Sequence, residues 1–476
     1  MRIDRRRFTL GAAGLGLWMA AGGCSQAAVK KYDAVVLGAG ISGLNTALLL
    51  EEAGLRVAVV EARDRVGGRI LSLSDLPGTP EMGFNSMGSG YGRGLDAASR
   101  AGVELWEVGR RYAMDGAPGL FMGGSRMTRE QWAASPDNPF PAPLKAMMPY
   151  ELSGMLLGKN MPITDWTQWM SAENAAKDIS FAQFLANHGL DEKAIRLAYD
   201  LSPYHGRSSH DVSTLMMVFN AGFVQSQMAA GMESFAVKGG NSRLPEALAA
   251  RIKGDVALGK PVASIDTDAH GGTVTCRDGT RFHARKIVCS LPLAALRNVA
   301  INPGLPALQA KAVKEVNYQP ISIAFLTASS PFWEDDGLPI GMWSDSFANT
   351  VMAQRFAEKP EQVTGLMVQA RGASALEWDK LGSAAALEKL VAEMEALRPA
   401  AKGKLKAHHY HSWAGEEFSG GAWAYFGPGQ ATTLPNEIPK AAGPIHFCGE
   451  HTEYAARGVE GALASSERVV TEILSA

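Results

Sequence analysis

The sequence predicts an α/β fold in which a Rossmann-like half is joined to a second, α+β half, and three observations carry that prediction. An apolar run, Tyr32-Asp33-Ala34-Val35-Val36-Leu37, passes directly into the glycine loop Gly38-Ala39-Gly40-Ile41-Ser42-Gly43. A helical pattern and a second short apolar run then lead to Glu61-Ala62-Arg63-Asp64-Arg65-Val66-Gly67-Gly68-Arg69, completing a βαβ unit. At the far end of the chain stand Gly449-Glu450 and Gly458-Val459-Glu460-Gly461-Ala462, so residues that close the chain complete the half that opens it.

Size and charge narrow the possibilities. A chain of 476 residues holds two or three cores. Lys+Arg 46 against Asp+Glu 48 gives a net charge of -2, with no long basic run to attract nucleic acid. A small molecule is the natural partner. The first segment, Asp4-Arg5-Arg6-Arg7-Phe8-Thr9-Leu10 and the short Gly/Ala-rich stretch 11–23, resembles a twin-arginine export signal and is too short to cross a bilayer. Residues 1–28 are therefore read as a leader to the periplasm, either cleaved after Ala27 or acylated at Cys24 as a lipid anchor. Cys276, Cys289 and Cys448 have neither metal-type spacing nor the even number of a disulfide framework.

Along the chain, Tyr32 to Leu37 reads as a buried parallel strand. Leu44, Ala47, Leu48 and Leu50 place a helix over 41–53, ended by Gly54, and Arg56 to Val60 is the second strand. From 102 to 231, Met, Trp and Pro become frequent between helical stretches, and the prolyl segment 136–143 is expected as a surface connection. Val262-Ala263-Ser264-Ile265 begins a strand, Asp278-Gly279 turns a hairpin, and Ile287 to Pro292 is a strand stopped by proline. A helix lies near 383–397 and a last one over Gly458 to Leu474. Residues 29–101, 231–303 and 404–476 are assigned to the Rossmann-like half, and 102–230 and 304–403 to the second half.

Each motif residue has a physical task. Gly38 allows the tight turn, Gly40 lets the backbone approach a pyrophosphate, and Gly43 lets helix and strand pack closely, with Ser42 in the first helical turn. The helix start supplies N–H donors and positive dipole. Glu61 stands where the adenosine ribose needs an acceptor. A lone glycine loop leaves NAD and FAD open; Arg63, Arg65 and Gly67-Gly68-Arg69, beside Ala62, add diphosphate contacts and favour FAD.

With these motifs the chain resembles the flavin-containing amine oxidase family, a bacterial exported member of a group that includes monoamine, polyamine and L-amino-acid oxidases. Glu81-Met82-Gly83, Gly239-Gly240, Val262, Pro331-Phe332-Trp333 and Ser419-Gly420-Gly421 extend the likeness. The resemblance implies a GR2-type FAD-binding domain and a substrate domain, both discontinuous. It also implies hydride removal from the carbon beside an amine nitrogen, giving an imine that hydrolyses to an aldehyde or ketone plus amine or ammonia. Val262, Gly449, Glu450, Gly458 and Val459 join the cofactor set, with Glu450 on the ribityl–phosphate side and the last helix aimed at the flavin's pyrimidine edge.

Departures from the family sharpen the expectation. Ala422 stands where monoamine oxidases carry the cysteine bonded to flavin, so FAD is expected to be held non-covalently. Trp423 follows as one wall of an aromatic cage, with Gly458 at the opposite wall. Counting ten residues back from Trp333 reaches Ile323, where many members carry a lysine; slow reaction with oxygen and a periplasmic cytochrome-type acceptor follow from that register. No arginine follows Glu81-Met82-Gly83, where Phe84-Asn85-Ser86 stand, and Arg93 comes only later, which favours an amine without a carboxylate. His408, His409 and His411 lack partners at ligand spacing, so no metal is expected, and His205 and His210 read as structural. The twenty methionines, paired at Met147-Met148 and Met216-Met217, read as core filler compatible with a roomy apolar pocket. An L-amino-acid oxidase, a carotenoid or desaturase-type flavoprotein, and a non-catalytic flavin-loaded assembly factor are the alternatives.

Overall fold

Val57–Val60 is buried at all four positions, and Ala34 to Leu37 beside it is equally shielded. That is the signature of parallel strands covered on both faces. In the computed structural model, which describes residues 30–109, 117–355 and 359–475, these two strands lie at the centre of an eight-stranded sheet. Lys30–Leu37 pairs in parallel with Val57–Val60 on one side and Arg281–Cys289 on the other; Val57–Val60 pairs in turn with Asp255–Ala257. The long strand Arg281–Cys289 serves two neighbours along one edge. Its first half meets Gly271–Cys276 antiparallel, and Ile287 to Cys289 meet Ile445–Phe447 in parallel. The expected leader, with Cys24 and the cut after Ala27, lies outside the described residues.

One face of this sheet is covered by the helix Ile41–Glu52, buried at nine of its twelve positions. Outside it packs the helix Gly458–Leu474, whose Leu463 and Val470 share a cluster with Leu44, Leu48, Val36 and Val59. Each such aliphatic side chain contributes about 1.5–3 kcal/mol when removed from water. Polar pins fix the register of the two helices: Asn45 Nδ2 donates to Ser466 Oγ at 2.6 Å. The hairpin at Asp278-Gly279 forms with Gly279 in the left-handed region, φ +84°.

A second sheet of seven strands runs Leu405–Ser412, Ile321–Ala328, Val363–Arg371, Thr350–Arg355, Met342–Ser344, Gly119–Met122, Ser125–Met127. Leu405–Ser412 pairs here although it lies in the segment 404–476 assigned from sequence to the FAD-binding half. Its side chains at 409 and 411 share a face, and their rings stack at 6.3 Å. The helix Thr214–Ala230, capped by the Ser213 hydroxyl, carries Met216 and Phe219 towards the region between the sheets. Among the described residues no helix is long and apolar enough to cross a membrane.

The prolyl segment departs from expectation. Asn138 and Phe140 are buried, Phe140 meeting the Trp132 ring edge-on at 5.5 Å. The Asn138 amide donates to the Trp132 and Lys145 carbonyls and accepts from the Phe140 N–H, so a polar side chain replaces the regular hydrogen bonds that the prolines forbid. Only its outer residues are exposed.

Candidate active site

A single cavity of about 400 Å³ runs from the glycine loop to the region between the two sheets. At its first end the three loop glycines divide their labour by geometry. A Cβ on Gly38, at φ +97°, would stand 2.7 Å from Ser290 Oγ. One on Gly43 would stand 2.1 Å from the Gly38 carbonyl oxygen. Gly40 faces open space, with nothing within 4 Å of such an atom. Gly38, Gly40 and Ser42 line the cavity; Gly43 sits behind it and holds helix to strand.

Glu61 is buried at this wall. Its carboxylate accepts from the Ala39 N–H at 2.8 Å and the Arg63 N–H at 2.9 Å, one oxygen each, leaving lone pairs towards the cavity. The Arg63 guanidinium pairs with Glu416 and donates to Ser419 Oγ at 2.8 Å. Arg65 does not reach the cavity: it donates to the Gly68 and Val66 carbonyls and braces the turn, where the sequence suggests a diphosphate contact. Ala62, Gly67, Gly68 and Val262 complete this end.

Arg69 ties the first motif to the last. Its Nη1 donates to Glu450 Oε1 and to the Ala422 carbonyl, both at 2.8 Å, and Glu450 Oε1 also accepts from the Ala424 N–H at 3.2 Å. Beside them Gly449, Gly458 and Val459 line the wall, and the helix that begins at Gly458 has no side-chain cap on its first N–H groups. His451 is buried here with both ring nitrogens unpartnered; burial, then Arg69 and Arg468, pushes its imidazole down to about 3.

The other end is aromatic. Trp423 stacks on Tyr204 at 5.3 Å and 24°, and its Nε1 donates to His205 Nδ1 at 3.1 Å. That bond fixes the His205 proton on Nε2, which is buried without a partner. Burial, with Arg457 and Arg371 nearby, holds this histidine neutral, well below its ordinary value. His205 thus belongs to the cavity wall, whereas sequence alone reads it as structural; His210 is exposed beside Glu192. Tyr91 lines the cavity beside Gly458, whose Cβ position lies 3.9 Å from the Tyr91 hydroxyl, so an aromatic side chain stands at the wall where the sequence offers a glycine.

Ile321 and Ile323, two apart on one strand, both line the cavity, and Ile323 lies opposite Gln369 in the neighbouring strand. Lys260 is the one lysine among the described lining residues, and it sits at the other end, paired with Asp278 at 2.5 Å. Arg93 turns away to Glu460 and Glu467. Among the described residues no group of three or more His, Cys, Asp or Glu could hold a metal.

Sequence reasoning missed Tyr91, Tyr204, His205, Arg371 and Arg457. Apart from the adjacent pair Tyr204 and His205, each lies in a different segment, without a local pattern, and only the fold brings them together. The residues present fit a dinucleotide. Open space stands over Gly40, an acidic acceptor faces the cavity, the last helix starts uncapped, and both nitrogens of buried His451 lack protein partners.

Comparisons with known proteins agree with that geometry. The family described as flavin containing amine oxidoreductase matches residues 41–474. The flavin-containing amine oxidase of Oncorhynchus mykiss is 25% identical, covering 94% of this chain and 86% of its own. Human flavin-containing amine oxidase B is likewise 25% identical, over 94% and 87%. Among solved structures, putrescine oxidase bound to putrescine superposes with a TM-score of 0.75 at 23% identity, covering 94% of this chain and 100% of that one. Cyclohexylamine oxidase from Brevibacterium oxydans gives 0.73 at 21%, over 94% and 99%. At these identities the structural likeness speaks for the fold.

Proposed function

The chain belongs to the flavin-containing amine oxidoreductases, and from that premise we propose that it oxidises a small amine at the carbon beside nitrogen, with FAD held non-covalently. The observation that carries this reading is the continuity of one cavity from the Gly40 loop to the Trp423–Tyr204 pair. FAD supplies the oxidant for the C–H bond, and the imine that leaves hydrolyses to an aldehyde or ketone plus amine or ammonia.

The remaining work belongs to the side chains. The stacked Trp423 and Tyr204 form an apolar plate against which the amine's carbon skeleton lies and from which water is excluded. Neutral His205 holds Trp423 in place. Glu61 would accept from the ribose hydroxyls of bound FAD, and the backbone at Gly40, with Ser42 beside it, would hold its diphosphate. Arg63, already engaged by Glu416, orders Phe418 and Ser419 at the Glu61 end of the cavity. Uncapped N–H groups at Gly458 and Val459 would favour negative charge on a flavin ring bound there. Ala422 offers no thiol, and no cysteine lines the cavity among the described residues, which supports non-covalent attachment.

Ile323 in the lining strand supports slow reoxidation by oxygen and an electron carrier as acceptor, for which a periplasmic cytochrome fits an exported enzyme. Adding primary, secondary and polyamines to the FAD-loaded protein without air tests the central reading: at least one must bleach the flavin absorbance. If none does, amine oxidation is refuted. Mixing the reduced enzyme with oxygen or with a cytochrome then separates the acceptors.

A further inference from the structure

The aromatic end of the cavity holds two guanidinium groups without a counter-ion among the described residues. Arg371 ends the strand Val363–Arg371 and donates through Nε to Gln369 Oε1 at 3.0 Å. Arg457 immediately precedes the last helix and donates to Asn220 Oδ1. Neither pairs with a carboxylate among the described residues. The other cavity-lining arginines are all engaged: Arg63 by Glu416, Arg69 by Glu450, Arg277 by Glu417 at 2.5 Å.

The two cations also converge. Their guanidinium carbons lie 5.3 and 4.9 Å from the centroid of the one Tyr204 ring, so both act on the same small region, beside Trp423. Arginine does not shed its proton in proteins, so the repulsion cannot be relieved by titration. Burial lowers the Arg371 value, with a smaller push from the charge of Arg457, against the opposing influence of Tyr204 and Tyr199. Like charges held together in a partly dry cavity are compensated by an anion that enters it.

We propose that this end of the cavity binds a carboxylate, so that the substrate is an amine that also carries a carboxylate, an amino acid in the broad sense. The proposal rests on the amine-oxidation reading and reverses the sequence-based preference for an amine without a carboxylate. The carboxylate itself is unchanged in the reaction. The C–H bond beside nitrogen breaks, two electrons and two hydrogens pass from substrate to FAD, and water hydrolyses the imino acid to an oxo acid and ammonia.

The test uses the FAD-loaded full chain without air and matched pairs: phenethylamine with phenylalanine, and butylamine with 4-aminobutyrate. One carboxylated member is expected to reduce the flavin with kcat/KM at least about tenfold above its partner, and the pair that shows it tells whether the carboxylate is α or distal. Arg371→Met and Arg457→Met should each raise that KM about tenfold, equivalent to about 1.4 kcal/mol, and so cut the preference for the carboxylated member over its plain partner by about tenfold. Arg371→Lys, which keeps the charge, should recover most of the loss. As a probe that cannot be oxidised, 3-phenylpropionate should perturb the flavin spectrum, and less so in Arg457→Met. Plain amines oxidised as well as their carboxylated partners, with both arginine variants indifferent, would overturn the proposal. If no amine reduces the flavin but 3-phenylpropionate binds in an arginine-dependent way, the anion site stands and amine oxidation fails. If 3-phenylpropionate does not bind either, both fail.

Discussion

Two alanine substitutions three residues apart separate packing from cofactor binding. At Gly43 an added methyl would stand 2.1 Å from the Gly38 carbonyl oxygen and 2.8 Å from Ser290 Oγ. Ser290 cannot yield freely, because its hydroxyl donates to the Leu37 carbonyl at 2.7 Å. The loop must therefore move away from the helix, and overpacking of this kind costs about 1–3 kcal/mol, with contact to backbone placing it at the upper end. At Gly40 the same methyl meets nothing within 4 Å, and the backbone there, φ -72° and ψ 172°, suits any residue. Gly40→Ala should leave the FAD-stripped protein within about 0.5 kcal/mol of the parent, or slightly above it through a stiffer unfolded chain. Urea unfolding of the stripped proteins reads the first effect, and recovery of flavin fluorescence on titration with FAD reads the second. Gly43→Ala should unfold early. Gly40→Ala should unfold normally yet hold FAD at least about tenfold more weakly, because its methyl occupies the space the diphosphate needs. A Gly40→Ala protein that binds FAD like the parent would show that the diphosphate lies elsewhere.

Arg69→Met strands the Glu450 carboxylate, only 12% exposed, with the Ala424 N–H as its remaining partner, and should cost about 2–3 kcal/mol in urea unfolding; equal stability would mean that the pair is neutral. His451 is held neutral when folded, near 3, against an ordinary value of about 6.5. The unfolded chain therefore binds the extra proton first, so stability is full above about 6.5 and falls as pH drops towards 3. At pH 5 this amounts to about 2 kcal/mol in the FAD-stripped protein, and His451→Gln should flatten the decline; an unchanged slope would contradict it. Ile323→Lys should speed reoxidation of the reduced enzyme by oxygen in stopped flow, and no acceleration would remove that residue from any role in acceptor choice.

The βαβ unit was legible because its glycines must be glycines: the spacing of Gly38, Gly40 and Gly43 encodes a turn, an open approach and a close packing, each with its own geometric signature. The last helix was legible to its ends, Gly458–Leu474. What the motifs could not reveal is convergence. Arg371 reaches the cavity because Ile321 pairs with it across two strands, and Tyr204 because a segment far from both folds beneath Trp423. Arg93 was the arginine visible near a motif, and it is spent on Glu460 and Glu467. Charge in a sequence carries no sign of whether a partner awaits it.

The short strand Ile445–Phe447 lies against Ile287 to Cys289, and the helix after it covers the helix Ile41–Glu52. A ribosome that has finished the glycine loop is therefore still most of a protein away from a working site. Until the last few dozen residues emerge, the opening βαβ unit lacks the helix that buries its outer face, and Arg69 lacks Glu450. Cofactor capture should thus report on completed synthesis: a chain cut before Ile445 keeps Gly38, Gly40 and Gly43 but has neither Glu450 nor the last helix, and is expected not to hold FAD.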